Sequence, residues 1–335
     1  MHLQFLQSID THGARKWERI HVNSTDYLVL AAYSKHCPVY RWSSHEQKLV
    51  DSNLSLPASW ASDVISFTYA GIVYVVVSSF RDGESGHNLG SLKVFAIGNA
   101  ANSTHSMFGS DESVAAKHLR VGLTGISARL VDSISIYAPV DLHHYVIDGV
   151  QYLAVASYGA PLLVFVVTEA PSRFAVLKLV QSINPQAING SGDAVLYATS
   201  MQFFRDADPF LIVATAKGNA FDSDHLFLLR WNGSQFLGPA DERTQTKDLA
   251  GGQILPADSP FSLSVFKDDK QERIFMMVAS FSRGAVLYEG NRINVGPMDG
   301  PGPMQFSPDG RFLYVGCFYS RNIAVFQRDA ADDGR

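Results

Sequence analysis

The apolar and polar positions of this chain fall into one seven-residue phrase that recurs six times: Tyr27–Tyr33, Tyr74–Phe80, Tyr152–Tyr158, Phe210–Ala216, Phe275–Phe281 and Phe312–Phe318. Each copy opens on an aromatic, runs through three apolar residues and narrows to small ones. An unbroken apolar run of this length predicts a strand buried on both faces. An apolar segment precedes each phrase: Trp17–Val22, Val64–Tyr69, His143–Ile147, Met201–Phe204, Ser262–Phe266 and Pro303–Phe306. Turn formers such as Asn23-Ser24, Asp148-Gly149 and Ser307-Pro-Asp-Gly310 join segment to phrase. A third strand ending in an aromatic follows: Val39–Trp42, Leu92–Phe95, Leu162–Phe165, Leu228–Trp231, Ala285–Tyr288 and Ile323–Phe326. Phe174–Val180 and Arg292–Val295 supply a fourth. Units of three to four antiparallel strands copied along a chain predict an all-β fold, a single β-propeller.

Phe5-Leu-Gln-Ser-Ile-Asp10 closely copies Leu179-Val-Gln-Ser-Ile-Asn184, the fourth strand of the third unit. The chain is therefore expected to open on a fourth strand that pairs with Ile323–Phe326, completes the last blade and leaves no open edge. Six blades are countable. The wide gap between the second and third phrases holds a Ser-rich insertion, about residues 98–132, which leaves a seventh blade open. The propeller is expected over 1–328 and a polar tail over 329–335, with any short helix within 110–119.

With 335 residues and 46% hydrophobic content, the chain can bury a large core. Its net charge of −5, with both signs interspersed, gives no basis for a nucleic-acid partner. No apolar run approaches the roughly 20 residues that span a bilayer, and no signal peptide is visible in residues 1–15. Sequons at Asn23, Asn53, Asn102, Asn189 and Asn232 are glycosylation candidates and favour an extracellular setting. Polar loops also generate sequons by chance. Cys37 and Cys317 lie in the first and last units, and the sequence leaves open a disulfide or two free thiols, with the thiols favoured.

Candidate chemistry is sparse. His143 and His144 alternate to opposite faces of one strand and so cannot share a metal. Two loops between second and third strands are strongly polar. One carries Arg81, Asp82, Glu84 and His87, the other Asp222, Asp224 and His225. Both are expected on one face as a binding surface. The second has too few oxygens to promise a cation site. No Gly-x-Ser-x-Gly elbow occurs, and Gly300-Pro-Gly302 precedes a strand, so neither a hydrolase elbow nor a phosphate loop is expected. The recurrent Trp42, Phe95, Phe165, Trp231, Tyr288 and Phe326 are expected to pack blade against blade.

Phe5–Ala14, Trp17-Glu18, Tyr27–Ala31 and Val39–Trp42 together resemble the EAR repeat, also termed the EPTP or epitempin repeat. Leu228–Phe236 is similar to its third-to-fourth strand segment. That resemblance implies a seven-bladed propeller with a protein-binding role, typically extracellular and often beside other domains; the chain is expected to act as a monomer or as part of a larger extracellular assembly. Phe306–Val315 resembles the Ser-Pro-Asp-Gly blades of lactonase-like and WD40-like propellers. The lactonase resemblance implies the alternative, a hydrolase with its site at the channel mouth. A non-enzymatic recognition module is the favoured expectation, with no cofactor, metal or catalytic residue assigned.

Overall fold

A computed structural model describes residues 7–11, 13–81, 89–99, 119–121, 125–170, 174–183, 196–205, 209–217, 225–237, 253–256, 260–268, 273–280, 284–289, 291–294, 301–306, 312–317 and 322–327. The described residues contain no helix and form six antiparallel sheets. The first is β1 (Ala14–Val22), β2 (Thr25–Ala32), β3 (Cys37–Ser43) and β4 (Lys48–Leu56), in that order. The second comprises β5 (Ala61–Tyr69), β6 (Ile72–Ser79), β7 (Leu89–Asn99), β8 (Leu119–Val121) and β9 (Ile126–Tyr137), ordered β5-β6-β7-β9-β8. The third is β10 (Pro139–Ile147), β11 (Val150–Ser157), β12 (Leu162–Glu169) and β13 (Ala175–Ile183).

The fourth holds β14 (Leu196–Arg205), β15 (Pro209–Lys217), β16 (His225–Trp231) and β17 (Phe236–Leu237), with β18 (Gln253–Pro256) also pairing β16. The fifth is β19 (Pro260–Asp268), β20 (Arg273–Ser280), β21 (Gly284–Glu289) and β22 (Asn291–Asn294). The sixth is β23 (Pro301–Phe306), β24 (Phe312–Cys317) and β25 (Asn322–Gln327). The chain divides into two compact units, Met1–Ser157 with Leu163–Val180, and Tyr158–Leu162 with Gln181–Arg335.

Every copy of the apolar phrase is the second strand of a sheet. The reason is visible in β6, where Tyr74, Val75, Val76 and Val77 are all fully buried. Alternation sends Val75 and Val77 into a core with Ile20, Val29, Val39 and Leu54 of the first sheet. It sends Tyr74 and Val76 into another with Leu142, Leu153, Val155 and Phe165 of the third. A strand sandwiched in this way has no polar face to alternate with. In the other unit, Ile212 and Ala214 of β15 pack with Leu263, Met276 and Val278 in the same manner.

The first strand of each sheet carries a register shift near its start, between Ala14 and Lys16, Ala61 and Asp63, Pro139 and Asp141, Ala198 and Ser200, Pro260 and Ser262, and Pro301 and Met304. A bulge inserts a residue and re-aims the side chains around it. In the second sheet the extra residue Ser62 donates its hydroxyl to Pro139 O at 2.6 Å. In the fourth, Thr199 donates to Pro260 O at 2.9 Å. Both tie a sheet to the opening residue of the next.

A second tie lies at the outer strands. Gln181, on β13, donates its amide to Phe236 O at 2.7 Å and accepts from Phe236 N at 2.9 Å. Gln7 makes the same pair of bonds with Leu49 of β4, both at 2.9 Å. The two glutamines occupy the same place in the matched phrases of the sequence, and each clamps the main chain of an outer strand.

Gly90 opens β7 against the end of β6. A Cβ there would run into the carbonyl oxygens of Ser79 and Phe80, so no larger residue fits. Within the segment 98–132, β8 and the start of β9 join the second sheet as its outer strands. Residues 100–118, which hold nearly all of the expected helix, lie outside the described residues. So do Phe5 and Leu6 of the expected closing strand, and Gln7–Thr11 carry no strand. Phe95, Phe165 and Trp231 are buried as expected of the recurrent aromatics. Trp42 departs from them at 39% exposed, because it pairs with Leu49 at the open end of β3 and β4. The side chains of Tyr288 and Phe326 are not among those described. Cys37 is buried and unpaired, and burial pushes its thiol up to about 12. The Cys317 side chain is also outside the description.

Candidate functional site

Two polar places stand out in the first unit. The first is a charged hub on the opening strands of three successive sheets. Lys16 of β1 and Asp63 of β5 follow their bulges at matching positions and meet at 2.7 Å, with Asp63 only 2% exposed. The other Asp63 oxygen accepts Leu142 N at 2.7 Å from β10, and the first also accepts Val64 N at 2.7 Å. One carboxylate thus joins three sheets, and both of its oxygens are engaged. Two residues on, Glu18 accepts Ser66 N at 2.9 Å and Ser66 Oγ at 2.5 Å across the same pair of strands. Burial raises the Glu18 carboxyl above its usual range, against those hydrogen bonds and the nearby Lys16 charge.

His143, on β10, is pushed down to about 4, chiefly by desolvation and then by the charges of Lys16 and His144. Its folded pKa lies below the unfolded value near 6.5, so the unfolded chain binds the extra proton first. Its contribution to stability is fully present above that unfolded value. It is lost as pH falls from about 6.5 toward 4. Glu18 acts with the opposite sign, since a raised carboxylate gains relative stability as pH falls. Comparing wild type with His143→Gln isolates the histidine. Denaturant midpoints should converge as pH drops from 7 to 4, and parallel pH curves would show that His143 is not held neutral.

The second place lies where second strands end and third strands begin, here termed the upper rim. Arg15, the extra residue of the first bulge, lies over the Tyr33 ring at 4.9 Å. Tyr33 and Trp60 are 5.5 Å apart, tilted at 45°. Arg81 lies over Trp60 at 5.9 Å and over Phe80 at 5.7 Å. The result is a row, Arg15–Tyr33–Trp60–Arg81. Its backbone is pinned: Tyr33 N donates to Gly13 O at 3.0 Å, Trp60 N to Ser34 O at 3.0 Å, and Phe80 N to Trp60 O at 2.9 Å. Gly13 has φ +70°, and a Cβ there would press on the Tyr33 side chain at 3.2 Å. Trp60 itself has φ 51°, a left-handed conformation that a bulky residue adopts only under constraint. It nonetheless presents its ring to solvent at 45% exposure.

Of the loop residues expected to bind, Arg81 stands in this row. Asp82, Glu84, His87, Asp222 and Asp224 lie outside the described residues. His225 opens β16, paired with Thr215 and Pro256, and nothing is described of its side chain. Arg15, Tyr33 and Trp60 were not anticipated. A signal existed, since the phrase ends on an aromatic just past its small residues, at Tyr33, Phe80 and Tyr158, where the strand has already stopped.

Among the sequons, Asn23 and Asn53 are exposed, each with positive φ. Asn232 is exposed in a turn that its own carbonyl oxygen caps by accepting Ser234 N and Gln235 N. Asn102 and Asn189 lie outside the description. His143 and His144 do face apart, with His144 stacked on Phe67 at 5.2 Å. Among the described residues no group of three or more His, Cys, Asp or Glu is placed to hold a metal ion, and no helix is long and apolar enough to cross a membrane.

Residues 3–43, which carry Gln7, Arg15, Tyr33 and the first three strands, match the family model of the EPTP domain. The first repeat is thus similar to an EPTP repeat. The thrombospondin-type laminin G domain and EAR repeat-containing protein of Mus musculus is 32% identical over 98 residues, or 28% of this chain. The chain spans about 14% of the length of that relative. A solved structure of a candidate 6-phosphogluconolactonase from Bacteroides uniformis matches 93% of this chain and 81% of its own, with TM-score 0.53 and 12% identity. A likeness at that identity shows the fold alone. Another candidate 6-phosphogluconolactonase, from Bacteroides fragilis, covers 92% of both chains at 12% identity and TM-score 0.42. The EPTP-like segment thus sits in an all-β, propeller-like chain whose sheets repeat one plan.

Proposed function

We propose that this chain is a protein-recognition module that captures its partner on the upper rim. The observation that carries the reading is the row Arg15–Tyr33–Trp60–Arg81, in which a bulky aromatic is held in a costly backbone conformation and left exposed. Strain of this kind is kept where something other than packing selects it. Trp, Tyr and Arg are also the residues that dominate binding energy at protein interfaces. The EPTP match supports the same reading. The loop residues Asp82, Glu84 and His87, and in the other unit Asp222, Asp224 and His225, are proposed as further binding residues with contacts of their own, apart from the row. The exposed sequons fit a secreted glycoprotein.

Trp60→Gly provides the test, because glycine suits the positive φ and keeps the fold while removing the ring. Against a panel of cell-surface ectodomains, wild type is expected to bind a member that Trp60→Gly binds about thirtyfold more weakly, a loss of about 2 kcal/mol. Equal binding by the two proteins would move the interface elsewhere. Turnover of a panel of sugar lactones by the purified chain would establish the hydrolase reading instead.

A further inference from the structure

We infer that the Arg15–Tyr33–Trp60–Arg81 row is a docking site for an acidic protein segment, which seats carboxylates on the two guanidinium groups and an apolar side chain on the rings between them. This rests on the recognition reading and adds the chemistry of the partner. The first argument is where Arg15 stands. The same bulge position holds Ser62 in the second sheet and Thr199 in the fourth, and there a hydroxyl ties one sheet to the next. In the first sheet that place goes to an exposed guanidinium over Tyr33. That position carries a tying hydroxyl in two sister sheets and an apolar residue, Val140 or Phe261, in two others, whereas here it bears an outward charge.

The second argument is geometry. A guanidinium lying over a ring keeps its in-plane N–H groups at the edge, where they can donate in pairs to a carboxylate. The ring holds the side chain, so less conformational entropy is lost on binding. Two such groups flank the Tyr33–Trp60 pair, which offers apolar surface between two anion sites.

The third argument is charge. Within residues 13–81 and 139–141, the charged side chains at the upper rim are Arg15, Lys16, Lys35, Asp63, Arg81 and Asp141, the last half-buried and near Lys16. Asp63 is buried and bonded to Lys16. The exposed remainder, Arg15, Lys35 and Arg81, is wholly cationic, which an acidic segment complements and a basic one does not.

The probe is a short fluorescein-labelled peptide rich in Glu with one Phe, compared with the same peptide carrying Gln in place of Glu. The full chain is expected to bind the Glu peptide about tenfold more tightly than the Gln peptide, with binding weakened by added salt. Arg15→Glu with Arg81→Glu should abolish that preference and leave the melting temperature unchanged, since both side chains are exposed. Asp82→Asn with Glu84→Asn, which removes the acids of 81–90, should bind the Glu peptide at least as tightly as wild type. Equal affinity for the two peptides, an unaffected double Arg variant, or tighter binding of heparin than of peptide would overturn the inference. Suppose a panel partner is lost by Trp60→Gly but retained by the double Arg variant. Recognition then stands and the acidic segment falls. Retention by both variants removes both readings.

Discussion

Asp63→Ala is expected to cost about 3–5 kcal/mol of stability, the range found when one member of a buried ion pair is removed. The carboxylate is almost fully buried and serves Lys16 Nζ, Val64 N and Leu142 N at once. Its loss strands a partly buried ammonium and leaves the buried Leu142 N–H without its acceptor. Asp63→Asn should cost less, because an amide oxygen can still accept from Leu142 N. Removing Lys16 as well should cost much less than the sum of the single losses, since the two residues act as a pair. Urea or guanidinium titration measures all three variants. A change under about 1 kcal/mol for Asp63→Ala would mean that the hub does not hold the three sheets together.

The glutamine clamps carry the next largest expectation. Gln7→Ala and Gln181→Ala each remove two bonds to a single outer-strand residue and leave its N–H and C=O unanswered in a half-buried place. Each unmet group costs about 1–3 kcal/mol, so about 2–4 kcal/mol is expected per variant. Glutamate in place of either glutamine keeps the acceptor but loses the donor, and should recover part of the loss. Hydrogen exchange gives the sharper readout. Gln7→Ala should loosen the Leu49 amide and Gln181→Ala the Phe236 amide, each locally. Uniform loosening, or none, would show that the clamps are incidental.

The fold was legible because its signal is dense. All six apolar phrases are second strands, since a strand buried on both faces writes its position in four consecutive apolar residues, as Tyr74–Val77 does. The match between the Gln7 and Gln181 phrases was visible too, but not its purpose. A side-chain amide bonded to main chain leaves no mark on the identity of Leu49 or Phe236.

The hub and the row were harder to read. Lys16 and Asp63 look like ordinary polar residues until their bulges bring matching positions together. Trp60 sits in a short link between strands, and only its backbone conformation separates an anchored, exposed ring from a loop residue. Trp42 shows the reverse limit. It shares a repeat position with three buried aromatics, yet it lies where its sheet opens to solvent.

The clamps also bear on how such a chain can be cut or copied. Gln7 lies ahead of β1 in the sequence yet fastens β4 by its side chain, so latch and latched strand stand at opposite ends of the first repeat. The EPTP match over residues 3–43 is out of step with the first sheet in the same way: it takes in Gln7 ahead of β1 and stops at the end of β3. A segment with those limits carries the latch but not Leu49 of β4, the residue it fastens, whereas one cut at the sheet borders would carry Leu49 and leave the latch behind. Only a piece that runs from Gln7 to the end of β4 keeps this fastening whole.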